Sequence, residues 1–278
     1  MHAARRASYN HRDWCGGGCM TAIYGADDGL YLPLLKRVLT NTIFTAEPDA
    51  GEGSTLRYVE AAIRHYQQGP AVSMLPVARL DNLEACIRDV VREGVPGDLV
   101  ETGVWRGGAT IFMRAVLKVL GVTDRRVWAA DSFEGLPEPD AGAYPLEAKS
   151  YNSAAMTKYY DHLAVGLDEV KRNFQAFDLL DDQVRFLKGW FKDTLPGAPI
   201  ETIAVLRLDG DYYESTRDAL AGLYDRVCVG GYVIIDDYGE DSWTYCRRAV
   251  EEFRQARAIA DPLVKVDTPC SFWKKSRP

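Results

Sequence analysis

Three aspartates raise the question of chemistry in this chain. Asp209 closes the apolar run "IAVLRLDGD" (203–211), and Asp236 and Asp237 close "GYVIIDD" (231–237). Near-continuous apolar runs of this kind read as strands buried on both faces. If the two strands are neighbours, roughly 4.8 Å apart, their ends bring the three carboxylates to one point. Left uncompensated there, like charges repel and raise one another's pKa. A hard divalent cation removes that conflict, and oxygen-only ligands select Mg²⁺, Ca²⁺ or Mn²⁺. The plainer role for Asp236 and Asp237 is to cap the helix expected near residue 243. One aspartate would suffice for that, and Asp209 would stay unexplained, so the metal reading is preferred.

The other strand ends carry further candidates. In "ETGVWRGG" (101–108), Gly103 permits a tight turn, and Gly107 and Gly108 allow close approach of a ligand to a helix start. This is not the G-x-G-x-x-G dinucleotide fingerprint. Glu101 would repel a pyrophosphate but suits a cation or an amino group. In "DSFEGLP" (131–137), Asp131 stands where an acid can take two ribose hydroxyls, or it caps a turn; position alone does not decide. Trp190 and Phe191 in "KGWF" could flank an adenine, although core packing is the commoner fate of such rings.

Other chemistries find little support. The four histidines, His2, His11, His65 and His162, are too few and too scattered for a two-histidine iron site. No serine sits in a G-x-S-x-G elbow. Cys15 and Cys19, with His11 nearby, make an incomplete zinc set.

These residues need a scaffold, and the chain offers one. Strands are expected at 98–104, 127–133, 184–189, 203–211 and 231–237, with helices at 107–121, 167–177, 215–227 and 243–258 between and after them. A closing pair of strands is expected in "LVKVDT" and "SFWKKS". Strands alternating with helices imply a doubly wound, mostly parallel α/β sheet. Upstream, helices are expected at 29–41, 55–69 and 78–94, so residues 20–97 read as a helical N-terminal extension. Residues 98–278 read as the Rossmann-like domain. Residues 138–163 interrupt its rhythm and read either as a lid or as a tolerated surface insertion. The first 19 residues lack the apolar stretch of a signal peptide and read as a tail, or as a start called early with Met20 the true one.

Bulk properties agree with a globular enzyme. The 278 residues are 47% hydrophobic and 26% charged. A net charge of −7, from 40 acidic against 33 basic residues, argues against nucleic acid or an anionic membrane as partner. No apolar run approaches the roughly 18 residues of a membrane span. A cytoplasmic location is the expectation.

The motifs "ETGVWRGG", "DSFEGLP", "KGWFKDTLP", "RLDGDYYEST" and "GGYVIIDDYG", in that order, resemble the macrocin O-methyltransferase family, whose members methylate sugar hydroxyls on natural products. The resemblance runs from about Tyr31 to the C-terminus and includes "MLPVARLDNL". It implies a class I methyltransferase fold binding S-adenosylmethionine and Mg²⁺, and by analogy a homo-oligomer. Glu101, Thr102 and Gly103 would line the methionine end, and Asp131, with Ser132 and Gly135, the ribose. Gly189, Trp190 and Phe191 would lie along the adenine, and Met74 would close over the cofactor. Asp209, Asp236 and Asp237 would hold the metal, with Asp209 also the general base. Tyr212 departs from the aliphatic residue expected there, and residues 138–163 carry no pattern that names the acceptor. The expected acceptor is a small glycosylated molecule. The rivals are a catechol-type O-methyltransferase with the same metal logic, and a binding protein without catalysis.

Overall fold

The computed structural model describes residues 28–46, 63–67, 69–239 and 243–278. Among these, seven strands form one sheet in the order β3-β2-β1-β4-β5-β7-β6. The strands are β1 (Asp98–Thr102), β2 (Val127–Asp131), β3 (Val184–Lys188), β4 (Ile203–Leu208), β5 (Val227–Ile235), β6 (Val264–Lys265) and β7 (Ser271–Lys274). The first five pair in parallel, and β7 lies antiparallel between β5 and β6. β4 is buried at every position, as its unbroken apolar run requires of a central parallel strand.

Helices cover both faces. On one side pack α1 (Asp28–Leu39), α2 (Val77–Arg92), α3 (Gly108–Val119) and α6 (Leu167–Ala176), around Leu83, Ile87, Phe112 and Phe174. On the other lie α7 (Phe191–Thr194), α8 (Tyr213–Leu223) and α9 (Thr244–Ala256), around Leu206, Leu220, Val250 and Trp273. This is the doubly wound sheet expected from the strand–helix alternation. Residues 138–163 hold two short helices, α4 (Pro145–Tyr151) and α5 (Ala154–Asp161).

Some boundaries differ for identifiable reasons. β5 begins at Val227, four residues before the expected start. The register slips here, with Ile203 opposite Val227 but Val205 opposite Tyr232. The "GG" that reads as a turn is an irregularity within the strand, where a Cβ at Gly231 would lie 2.8 Å from the Ala204 carbonyl oxygen. The helix expected at 215–227 starts at Tyr213 and ends at Leu223, and Tyr224–Arg226 form a 3-10 turn. Of the helix expected at 55–69, a π-helical turn at Ile63–Gln67 is described, Gly69 lies in a bend, and residues 55–62 and 68 lie outside the described residues. His11, Cys15, Cys19 and the first 19 residues also lie outside them. Among the described residues, no helix is long and apolar enough to cross a membrane.

The register positions the site. Thr102 pairs with Ala130 and with Leu208, and Leu208 pairs with Ile235, so the strand ends align. The backbone ladder then runs one step further. Asp209 N–H donates to the Thr102 carbonyl at 2.9 Å and Asp236 N–H to that of Leu208 at 2.9 Å. Between β1 and β4 the strand order reverses, and ligands of such sheets bind in that crevice.

Candidate active site

Two clefts meet at the reversal point, and Asp209 lines both. The smaller is bordered by Gly103, Asp131, Ser132, Gly135, Trp190 and Phe191. The larger is bordered by Met74, Arg79, Glu101, Arg207, Asp209, Asp236 and Asp237, with Trp105, Tyr159 and Trp243 among its aromatic walls.

Gly103 lines the smaller cleft and packs against Asp209, which lines both. Its φ of +86° favours glycine, and a Cβ there would lie 1.7 Å from the Asp209 carbonyl oxygen. Across the larger cleft runs the segment that carries Met74. Arg106 holds it, its Nη1 donating to the carbonyls of Ala71 at 2.9 Å, Gly69 at 3.2 Å and Tyr66 at 3.3 Å. The segment presses on the start of α3, where a Cβ at Gly108 would meet Val72 O and Ser73 Cβ at 2.4 Å.

Glu101 is 2% exposed. One of its oxygens accepts from Arg207, and Oε2 is buried without a hydrogen-bond partner. Burial pushes its pKa up to about 7, against the pull of Arg207. A buried carboxylate oxygen lacking a donor, on a cleft wall, suits an ammonium group such as that of S-adenosylmethionine. Thr102 stands beside Glu101 at the end of β1. Its side chain is wholly buried, and its hydroxyl lies 3.5 Å from the Arg207 carbonyl.

Asp131 accepts from Val104 N–H at 2.6 Å and Phe133 N–H at 2.7 Å, so it caps turns and also borders the smaller cleft. Ser132 spends its hydroxyl on the Gly135 carbonyl at 2.7 Å, shaping the loop in which Gly135 takes φ +94°. Gly189 has φ +142°, and its N–H donates to the Asp131 carbonyl at 2.9 Å. Trp190 and Phe191 flank the smaller cleft, and Phe191 also packs on the core.

The three aspartates converge. One oxygen from each of Asp209, Asp236 and Asp237 lies within 4.8 Å of the others. They are not uncompensated, however, and this corrects the expectation. Arg207, 2% exposed, donates to Glu101 and to Asp209 Oδ2 at 2.9 Å, and its Nη2 lies 2.6 Å from Asp236 Oδ1. Arg79 bonds the other oxygen of Asp236 and Asp267 Oδ2, the latter at 2.7 Å. Burial raises the pKa of Asp236, but the two guanidinium groups outweigh it and hold the carboxyl below the usual range. Asp209 is pushed well above that range by burial and then by Asp236, with Arg207 only partly opposing. Asp237 is pushed up by burial, then by Asp211 and Asp209. Asp209 is thus only partly compensated and Asp237 stands among neighbouring acids, and the all-oxygen donor set of the three fits a hard divalent cation.

Several residues of the site escaped the sequence reading. Arg207 had a signal, a charge inside an apolar strand. Arg79, on a helix far away in sequence, had none. Asp211 takes φ +59° and donates its N–H to Asp237 Oδ2 at 2.9 Å. Its own carboxylate accepts from Trp243 Nε1 at 2.8 Å. Glu147, from the inserted segment, accepts the N–H of Tyr213 at 2.8 Å and so caps α8 from outside that helix. Tyr212 is buried, with the ring of Tyr160 from the same insertion 6.3 Å away. His162 ends α5, and its carbonyl accepts from Trp105 Nε1 at 2.9 Å.

Known proteins share this arrangement of sequence and fold. The family model described as Macrocin-O-methyltransferase (TylF) matches residues 64–275. The 8-demethyl-8-(2,3-dimethoxy-alpha-L-rhamnosyl)-tetracenomycin-C 4'-O-methyltransferase of Streptomyces olivaceus is 48% identical, covering 88% of this chain and 92% of its own. The mycinamicin III 3''-O-methyltransferase of Micromonospora griseorubida is 46% identical, covering 89% and 96%. Among solved structures, the O-methyltransferase NovP superposes with a TM-score of 0.75 at 46% identity, covering 90% of this chain and 99% of NovP. The chain belongs to the macrocin-O-methyltransferase family and is an S-adenosylmethionine-dependent O-methyltransferase.

Proposed function

We propose that this enzyme methylates a hydroxyl of a sugar carried by a natural product, with Mg²⁺ held by Asp209, Asp236 and Asp237. The observation that carries this reading is the position of Asp209, on the wall of both clefts and within 4.8 Å of the other two acids. S-adenosylmethionine supplies the methyl group, and a hard cation at the acids supplies Lewis acidity toward a hydroxyl that is a poor nucleophile on its own.

The chain's own residues do the rest. Asp209, its pKa raised by burial and neighbouring charge, is the group placed to accept the hydroxyl proton. Glu101 Oε2 takes the cofactor ammonium, and Asp131 the ribose hydroxyls. Gly103, Ser132, Gly135, Gly189, Trp190 and Phe191 shape the adenosine side of the cofactor site, and Met74, on the wall of the larger cleft, closes over its methionine end. Segment 71–75 keeps water from the reacting centre and fixes alignment, which is worth much of the barrier in a displacement. The relatives named above methylate different ring positions, 4' and 3'', at nearly equal identity to this chain. The position methylated here is therefore a property of the acceptor wall, to which α5 contributes Tyr159.

A cytoplasmic enzyme acting on a small glycosylated acceptor completes the reading. A homo-oligomer remains part of it, with the exposed apolar row Leu30, Leu34 and Val38 of α1 as its surface. A phenolic acceptor with vicinal hydroxyls is the rival for the same metal logic. The test is a panel of glycosides and catechols incubated with cofactor and Mg²⁺ and read by mass. Methylation of catechols alone would refute the sugar reading.

A further inference from the structure

Arg207 is unusual among the site residues. It is fully buried, yet it ends on three carboxylates at once, those of Glu101, Asp209 and Asp236. Arg79 covers the remaining oxygen of Asp236. Asp236 therefore has a guanidinium nitrogen beside each oxygen, its Oδ1 2.6 Å from Arg207 though without a hydrogen bond, while Asp209 has one at 2.9 Å.

We propose that Arg207 and Arg79 are positioning residues that act on the metal site through its aspartates and in different ways. Arg207 fixes Asp209 and Asp236 in a common orientation, with Glu101 as its brace. Arg79 draws charge and one oxygen of Asp236 away from the site. The Arg79 contact to its second oxygen also opposes bidentate chelation by Asp236. That favours Mg²⁺ or Mn²⁺, which keep several waters, over Ca²⁺, which takes bidentate carboxylates and more ligands. A planar fork can serve three carboxylates at fixed angles, and a lysine ammonium cannot.

This inference rests on the metal reading above, and the test separates the two. Mn²⁺ is titrated calorimetrically into the full-length wild type, R207K, R79M and E101Q, each checked for thermal unfolding and for binding of S-adenosylhomocysteine. Wild type is expected to take one Mn²⁺. R207K keeps the charge but loses the fork, and is expected to bind about 10–100-fold more weakly, the usual cost of losing a group that orients a metal ligand. E101Q, which loosens the brace without touching a metal ligand, is expected to weaken binding about threefold or more by the same orienting effect. R79M is expected to bind at least about threefold more tightly, because it removes a positive charge and frees an oxygen of Asp236. Opposite signs are the signature, since damage to the fold would weaken Mn²⁺ binding in every variant. Near-wild-type binding by R207K, or weaker binding by R79M with its melting and S-adenosylhomocysteine affinity retained, overturns the inference and leaves the metal reading standing. No Mn²⁺ binding by wild type overturns the metal reading, and this inference falls with it.

Discussion

Replacing Gly103 by alanine perturbs the catalytic centre through one methyl group. The new Cβ would stand 1.7 Å from the Asp209 carbonyl oxygen, whereas real Cβ contacts stay beyond 3.0 Å, so the two must separate by at least 1.3 Å (3.0 − 1.7). Neither side yields easily. Gly103 N–H is tied to the Ala130 carbonyl at 3.0 Å and Asp209 N–H to that of Thr102 at 2.9 Å. The displaced atom belongs to the proposed base, and a misplacement of about 1 Å commonly costs on the order of 100-fold in rate. The left-handed backbone adds about 1–2 kcal/mol of strain. For a chain of this size that strain lowers the melting temperature by roughly 2–8 °C. The control is Gly94→Ala, also at positive φ (+66°) but with nothing within 4 Å of its Cβ. Both variants should lose stability, and only Gly103→Ala should lose kcat at saturating cofactor and acceptor. Equal kcat in the two folded variants would refute the claim that this contact positions Asp209.

Asp209→Asn should abolish methyl transfer, by about 100-fold or more as general-base losses do, while S-adenosylhomocysteine still binds in calorimetry. EDTA should stop turnover and added Mg²⁺ restore it, and full activity in metal-free buffer would contradict the metal site. Glu147 has a pKa pushed up to about 7 by burial. The folded state therefore holds a proton that the unfolded chain has lost, and stability falls as pH rises from about 4.5 to 7. Glu147→Gln keeps an acceptor for Tyr213 N–H and should raise stability at pH 8 by about 1–2 kcal/mol, a gain that vanishes below pH ~4.5 in melts.

The parts of the fold legible in the sequence were those set by local pattern. The apolar runs ending at Leu208 and Ile235 announced buried parallel strands, and parallel pairing alone brought Asp209, Asp236 and Asp237 together. What escaped was set by long-range contact. Nothing near Arg79 says that it reaches Asp236, 157 residues away, and nothing near Glu147 says that it caps a helix starting at Tyr213. Asp211 and Trp243 take left-handed backbone that glycine usually serves, held by their mutual hydrogen bond, so neither advertises the turn it makes. The acids were legible by type and place. The arginines that set their charge were not, because ion-pair partners are chosen by the completed sheet.

The most direct test incubates the enzyme with S-adenosylmethionine bearing a deuterated methyl group and parallel sets of glycosylated and catechol acceptors. Each set is run with Mg²⁺ and with EDTA, and the products are read by mass and fragmentation. The account predicts one labelled methyl on a sugar hydroxyl, formed with Mg²⁺ and absent with EDTA. Label on a phenolic oxygen alone, or undiminished transfer to sugar in the chelated reaction, would contradict it.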